Sequence, residues 1–205
     1  MRFRSVVASL RYGLFVHTVL HKLRPLGVTI VPYRVMRESL GGPKPSVPRT
    51  ASGHLYEVSW ANVSDADGVA MVTSSTAKHV SARLNGGRLC LVAKEGGAVR
   101  AVVWCDLEVC SWEHESFPLG ESEAYLYGAE THPSARGRGL APYLRYRCYE
   151  ALASRGRTVC YSVSEYFNHP AIRFKEKLGA RTVSVGLFIG LGRFRRTFRR
   201  NQRRD

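Results

Sequence analysis

Residues 131–141 combine glycines and arginines in a pattern that suits phosphate binding. The stretch reads T-H-P-S-A-R-G-R-G-L-A, follows a predicted strand and opens a predicted helix. A helix N-terminus presents unpaired backbone N–H groups and the positive end of a dipole, and glycines let the backbone approach a diphosphate. Arg136 and Arg138 would add positive charge. The stretch matches neither G-x-G-x-x-G nor the P-loop pattern, so an Arg/Gly-rich surface turn is the alternative interpretation.

A second patch, residues 168–180, helps to interpret the first. It reads N-H-P-A-I-R-F-K-E-K-L-G-A. Together the two patches resemble the signature segments of the GNAT superfamily of N-acyltransferases. The first is similar to the acyl-CoA diphosphate loop, written V-x-P-x-x-R-x-x-G-x-G/A. The second is similar to N-x-x-A-x-x-x-Y-x-K-x-G-F, which it matches at Asn168, Ala171, Lys177 and Gly179.

The resemblance extends over roughly residues 55–190 and implies both a fold and a co-substrate. The implied fold is a mixed α/β (α+β) architecture, with a central mixed sheet of six to seven strands that is splayed between strands 4 and 5 and flanked by helices. The implied co-substrate is acetyl-CoA or another acyl-CoA, and no metal is implied. The residues that the resemblance assigns to acyl-CoA are Thr131, His132, Arg136, Gly137, Arg138, Gly139, Leu140, Ala141, Asn168 and Ala171.

One departure from the family pattern concerns the general acid. The family often places a tyrosine, which protonates the leaving thiolate, where this chain has Lys175, and an aromatic residue where it has Ala180. A lysine with an ordinary pKa is a poor acid at neutral pH, although burial lowers that pKa. Tyr166 or Tyr161 could substitute for the family tyrosine. A thiolate is also a tolerable leaving group, so a mechanism without an acid stays open.

The general base should lie on the strand that precedes the loop. A protonated amine cannot attack a thioester, so a base must first remove its proton. Glu130 ends this strand and Glu123 begins it; we favour Glu130, which lies nearer the expected thioester. His132 is a competing base, and a solvated strand-end carboxylate is the alternative interpretation of either glutamate. Tyr125 and Tyr127 share one face of the strand, where they line an acceptor pocket or simply pack.

The elements that position these residues alternate along the chain. Strands that alternate with helices in the second half predict partly parallel pairing there. We predict helices at 69–84, 139–154 and 169–178, strands at 88–93, 98–106, 124–131, 158–162 and 181–189, and a polar loop at 110–120.

The positive charge is concentrated at the two ends of the chain. The formal net charge is +15, and residues 1–37 contain seven basic and no acidic residues. Residues 193–205 contain seven arginines and one acidic residue. We therefore divide the chain into a basic N-terminal arm with an amphipathic helix (1–40), an acyltransferase domain (50–192) and an Arg-rich tail (193–205). A Gly/Pro-rich connector at 41–48 separates the arm from the domain.

Basic ends favour anionic partners: a membrane surface, an acyl carrier protein or, with less support from motifs, nucleic acid. A solvated tail is the alternative. The five cysteines form no CxxC pair, which is typical of buried reduced thiols. We therefore expect a cytoplasmic protein, free or peripheral at the inner membrane surface, although the Arg-rich start would also fit a mitochondrial transit peptide.

Three functions remain open from the sequence. The first is transfer of an acyl group from acyl-CoA to a primary amine by direct attack in a ternary complex. We favour acetyl as the acyl group. The second is a long-chain N-acyltransferase that uses acyl-CoA or acyl carrier protein at a membrane surface. The third is a non-enzymatic nucleic-acid-binding protein on a degenerate scaffold of the same fold.

Overall fold

The structure is a computed structural model that describes residues 22, 25, 27–112 and 115–201. This part of the chain forms ten strands and four α-helices. In chain order they are β1 (Val28–Ser39), β2 (Glu57–Trp60), α1 (Ala66–Thr73), α2 (Ala77–Asn85), β3 (Leu89–Glu95), β4 (Ala98–Asp106), β5 (Val109–Trp112), β6 (Glu115–Pro118), β7 (Glu123–Thr131), α3 (Leu140–Ala153), β8 (Val159–Glu165), α4 (His169–Lys177), β9 (Arg181–Leu191) and β10 (Phe194–Asn201). The amphipathic helix predicted in the arm falls largely on residues outside this description.

An eight-stranded sheet forms the centre of the fold, in the order β10-β9-β1-β8-β7-β4-β3-β2. Neighbouring strands are antiparallel except β7 and β8, which are parallel. The parallel pair is joined only from Glu123 opposite Val159 to Tyr125 opposite Tyr161. Beyond these rungs β7 and β8 no longer pair with each other, although β7 stays paired with β4 to Thr131 and β8 with β1 to Glu165. The predicted mixed sheet with a splayed strand pair is therefore confirmed.

The prediction of six to seven strands is wrong by at least one, because both basic ends contribute to the sheet. β1 lies inside the sheet, between β8 and β9, and not in a separate arm. Its residues Val31, Tyr33 and Val35 are buried at the strand period of two. β10 extends the sheet at one edge and pairs with β9 along its length. In the sequence, arginines interrupt the apolar residues of both segments, so the strand alternation is less visible than the positive charge.

Two further predictions fail for local reasons. The polar loop predicted at 110–120 contains a hairpin, in which β5 and β6 pair from Val109 opposite Pro118 to Trp112 opposite Glu115. The single helix predicted at 69–84 is divided into α1 and α2. Ser74 has a left-handed φ of 50° after α1, and the Thr76 side chain accepts a hydrogen bond from the His79 N–H and so caps α2.

The two faces of the sheet carry different helices. α1 and α2 cover the face of β3 and β4 that presents Val92, Val102 and Trp104. α3 covers the opposite face, where it packs on residues such as Val103 and Leu126. α4 lies on the α3 side, because Ile172 packs on Met36 and Lys175 contacts Ser164. The two faces of the sheet at the split between β7 and β8 are thereby covered by different helices.

A buried ion pair joins β1, β8 and α3. The guanidinium of Arg145 donates to both oxygens of the Glu38 carboxylate, over 2.8 and 2.5 Å, and both side chains are fully buried. Tyr149 and Ser162 donate further hydrogen bonds to the same carboxylate. Burial alone would raise the pKa of Glu38, but the charge and hydrogen bonds of Arg145 lower it from 4.5 to about 2. The cluster fixes the register of β1 in the sheet.

Candidate functional site

The loop between β7 and α3 is closed by its own hydrogen bonds. The His132 N–H donates to the Arg100 carbonyl over 2.8 Å, which ends the pairing of β7 with β4. A 3-10 turn, Pro133–Ala135, follows. The side chain of Arg136 then folds back, and its Nε donates to the Thr131 carbonyl over 2.9 Å. These contacts hold the loop in one shape before any ligand binds, so little ordering entropy opposes ligand binding.

Two glycines leave the N-terminus of α3 open. Gly137 and Gly139 both have φ of 77°, and a Cβ at either position would meet no atom within 4 Å. Gly139 is the N-cap of α3, and no side chain caps this helix end. The first backbone N–H groups of α3 therefore point out of the helix without intrahelical partners. A cleft of about 150 Å³ lies in front of them. It is lined by Thr131, Ala135, Arg136, Gly137, Gly139, Leu140, Ala141 and Pro142.

Asn168 and Ala171 lie at the same edge of the sheet as this loop. β7 and β8 are parallel neighbours, so Thr131 and Glu165 both mark carboxyl ends at that edge, and Asn168 follows Glu165 by three residues. The Asn168 Oδ1 accepts a hydrogen bond from the Ala171 N–H over 3.3 Å and caps α4. The structure thus brings the two patches of the sequence to the two sides of the split.

A β-bulge reshapes β7 just before the loop. Trp104 of β4 lies opposite Tyr127, whereas Val102, two residues earlier, lies opposite Glu130. The bulge comprises Gly128 and Ala129, one of which is extra relative to β4. Gly128 has a φ of 54°. Without the bulge, Tyr127 and Glu130 would point to opposite faces; with it, both lie on the face covered by α1 and α2. This bulge was not predicted from the sequence, where a glycine inside a strand was the available signal.

The family assignment rests on the comparison of the whole domain. The model of the acetyltransferase (GNAT) family matches residues 55–180, more than half of the chain. The chain belongs to the GNAT acetyltransferase family. The predicted resemblance is therefore confirmed. Among curated proteins, none matches this chain.

Solved structures of other GNAT proteins share the fold. A putative GNAT acetyltransferase from Novosphingobium aromaticivorans is 22% identical with a TM-score of 0.56, and the match covers 80% of this chain and 66% of that one. A GCN5-related N-acetyltransferase from Kribbella flavida is 16% identical, with a TM-score of 0.54 and coverages of 89% and 63%. A GNAT acetyltransferase from Colwellia psychrerythraea is 13% identical, with a TM-score of 0.58 and coverages of 80% and 57%. This chain spans less than two thirds of the length of these structures.

The two candidate bases of this GNAT protein lie at opposite ends of β7. Glu130 follows the bulge, and partial burial raises its pKa although the charge of Arg136 opposes the shift. Glu123 lies about 20 Å away along the strand. Its carboxylate accepts hydrogen bonds from the Gly120 N–H over 3.0 Å and from the Tyr161 hydroxyl over 3.1 Å. Glu123 therefore closes the turn before β7, and only Glu130 lies beside the loop.

The candidate acids lie on the β8 side of the split. Tyr166 follows β8 directly, and the Arg34 guanidinium lies 4.3 Å from the centre of its ring. Lys175 is buried on α4, and its Nζ donates to Ser164 Oγ of β8 over 2.7 Å. Burial lowers the pKa of Lys175 from 10.5 to about 7, although the charge of Glu38 opposes the shift. Near neutral pH, Lys175 can therefore both hold and release a proton. Its burial, which causes the low pKa, was not predictable from its residue type.

Proposed function

We propose that this protein transfers an acyl group from acyl-CoA to a primary amine, and we favour acetyl as that group. The observation that carries the proposal is the uncapped N-terminus of α3, which lies behind two left-handed glycines at the edge where β7 and β8 separate. Backbone N–H groups and the helix dipole at this position suit a diphosphate, and Arg136 and Arg138 add charge. The open space at Gly137 and Gly139 lets a bulky nucleotide approach the backbone.

The acyl-CoA would lie with its diphosphate on residues Gly137–Ala141 and its pantetheine arm in the split, beside Asn168 and Ala171. The thioester carbonyl would meet a backbone N–H at the bulge of β7, where the strand ladder is interrupted. The His132 N–H does not serve this purpose, because it donates to the Arg100 carbonyl. A fixed N–H at the bulge would stabilise the negative charge that develops on the carbonyl oxygen.

The amine would attack directly, from the face covered by α1 and α2. Glu130 takes the proton of the ammonium, the nitrogen attacks the thioester carbon, and the carbon–sulfur bond breaks as the amide forms. The thiolate takes a proton from Lys175 or Tyr166 on the β8 side, and the second proton that the nitrogen loses as the amide forms restores that acid through solvent. An acyl-enzyme is not part of this scheme: Cys160 in β8 is fully buried, and burial raises the pKa of its thiol.

The Glu130→Gln variant tests the base. We expect kcat to fall about 100-fold or more while the affinity for acetyl-CoA is unchanged, because only proton removal is lost. The raised pKa of Glu130 means that the wild-type rate falls as pH drops through that pKa, so this acidic limb should vanish in the variant. The measurement is kcat against pH by thiol release. An exposed control, Glu121→Gln, should keep the wild-type profile, and an unchanged profile in Glu130→Gln would exclude Glu130 as the base.

A second candidate function is acylation at a membrane surface, and β10 is the feature that favours it. Phe194, Arg196, Phe198 and Arg200 alternate onto one face of this edge strand. Phe194 and Phe198 are 56% and 52% exposed, which is unusual for such large apolar side chains. Aromatic side chains beside arginines suit an anionic bilayer surface, where the rings enter the interface and the guanidinium groups meet lipid phosphates.

Vesicle co-sedimentation tests this candidate with the full chain. We expect binding to vesicles that contain 30% phosphatidylserine, and weakening of about 30-fold in the double variant Arg196→Gln/Arg200→Gln, at about 1 kcal/mol per arginine. Leu55→Ser, a change at another exposed apolar residue, is the control. Equal binding to neutral vesicles, or no binding to the anionic ones, would exclude a lipid role for β10.

A further inference from the structure

A row of aromatic side chains leads from the split to Arg83 on the face covered by α1 and α2. Tyr125 lies at the last rung that joins β7 to β8, opposite Tyr161. Its ring stacks on that of Tyr127, with centroids 5.1 Å apart and planes within 8°. The Tyr127 ring stacks in turn on Trp104 at 6.5 Å. Arg83 of α2 ends the row.

Arg83 is held by rings instead of by a carboxylate. Its guanidinium carbon lies 3.7 Å from the centre of the Trp104 ring and 5.1 Å from that of Tyr127. Over the described ranges 27–112 and 115–201, no carboxylate forms an ion pair with Arg83, whereas Arg88, Arg100, Arg145 and Arg147 each have one. Stacking fixes the guanidinium in place and leaves its N–H donors for a ligand.

A second unsatisfied donor lies beside it. The indole Nε1 of Trp104 is buried and has no hydrogen-bond partner within the part of the chain that the structure describes. A buried N–H without a partner is uncommon in folded proteins, and an acceptor supplied by a water or a ligand is one explanation for it. The ring edge also borders the bulge, since a Cβ at Gly128 would lie 3.0 Å from Trp104 Cδ1. Because Arg83 stacks on the face of this same ring, both N–H donors lie near the bulge.

The spacing between Arg83 and the base fits one small molecule. The rungs of Trp104 and Val102 are two residues apart on β4, which is about 7 Å. Arg83 lies over the side chain of Trp104, which belongs to the first rung, and Glu130 lies opposite Val102 on the second. A positive and a negative side chain on one face at this spacing complement a ligand that carries both an ammonium and a carboxylate, as every amino acid does.

We propose that the acceptor is an amino acid, or another small amine with a carboxylate, and that Arg83 binds that carboxylate while Glu130 receives the proton of its ammonium. This inference rests on the proposed acyl transfer and names its acceptor class. The bidentate geometry of a guanidinium on a carboxylate would aim the amine toward the split and away from solvent. Arg83 would then decide which amines reach the thioester.

The experiment compares each amino acid with its own carboxamide and its decarboxylated amine as acceptors for acetyl-CoA. In the wild-type protein we expect kcat/KM to favour the carboxylate over both analogues by about 30-fold or more, as for a charged hydrogen-bonded pair. In Arg83→Leu this preference should disappear, and Arg83→Lys should restore only part of it, since lysine lacks the planar fork. Isothermal titration of the amino acid into the CoA-bound protein gives a second readout that needs no turnover.

The matched control is Arg155→Leu. Arg155 also stacks on a tryptophan, 5.0 Å from the ring centre of Trp60, but away from the bulge. It should leave acceptor preference unchanged. The inference is overturned if carboxamides react as fast as carboxylates, if the preference survives in Arg83→Leu, or if the titration shows no carboxylate binding. In each case retained binding of acetyl-CoA leaves the proposed acyl transfer standing, whereas loss of that binding in the wild type would remove both.

Discussion

Replacing Gly139 with glutamate is expected to weaken acetyl-CoA binding about 100-fold, equivalent to about 2.7 kcal/mol. Gly139 caps α3 with φ of 77° and borders the cleft at the helix N-terminus. A side chain there stands where the diphosphate must approach the backbone, and its carboxylate repels the phosphates and competes for the same N–H groups. The measurement is the Kd for acetyl-CoA by calorimetry.

Gly156→Glu is a close control for this variant. Gly156 has the same φ of 77° and the same open space around a Cβ, but it follows the other end of α3. Both variants therefore place glutamate in a left-handed backbone conformation, at a similar cost of roughly 1 kcal/mol in stability. The thermal midpoints of the apoproteins should fall together, and only Gly139→Glu should lose the coenzyme. Equal coenzyme affinity in the two variants would falsify the diphosphate site.

Replacing Glu38 with glutamine should lower the free energy of unfolding by about 3–5 kcal/mol. The change leaves the fully buried guanidinium of Arg145 without its counter-charge, which costs far more than losing an exposed pair. For a chain of this length, the midpoint of thermal unfolding should drop by about 10 °C. The control is Glu150→Gln, which breaks the half-exposed pair with Arg147 and should cost less than about 1 kcal/mol.

Two further measurements separate the effect of the unpaired buried charge from other effects of replacing Glu38. In Glu38→Met/Arg145→Met both ions are gone, so much of the lost stability should return. The native pKa of Glu38 is lowered from 4.5 to about 2, so its contribution is present above pH 4.5 and is lost as pH falls toward 2. The wild-type free energy of unfolding should decrease across that window more steeply than that of Glu38→Gln. Parallel curves, together with a small effect at neutral pH, would contradict the role given to the pair.

The elements predicted best from the sequence are those whose backbone conformation depends on neighbouring residues. β4, β7 and α3 are predicted within one residue of their ends, because the turns around them carry glycines and the strands alternate or are apolar. The loop at Thr131–Ala141 is predicted for the same reason, since Gly137 and Gly139 need the left-handed conformation in any setting. Such signals depend on a few neighbouring residues and do not require knowledge of the fold.

Features that depend on distant partners were not predictable in this way. Glu38 and Arg145 are 107 residues apart, and neither residue type indicates burial on its own. β1 looks like part of a basic arm until β8 and β9 supply hydrogen bonds on both sides. Likewise, Arg83 becomes a site residue only when β4 and β7 place Trp104 and Tyr127 beneath it. Register between strands decides all three, and a single sequence does not encode register visibly.

The place of β1 in the sheet sets an order of events during synthesis. β1 contains residues 28–39, yet its two neighbours are residues 159–165 and 181–191. A ribosome adds about 5–20 residues each second, so β1 waits roughly 6–25 s before β8, the first of its two neighbours, has been made. Its apolar residues and open strand edges stay available to chaperones or to other nascent chains throughout that delay. We therefore expect that premature termination before residue 159 yields a chain that aggregates.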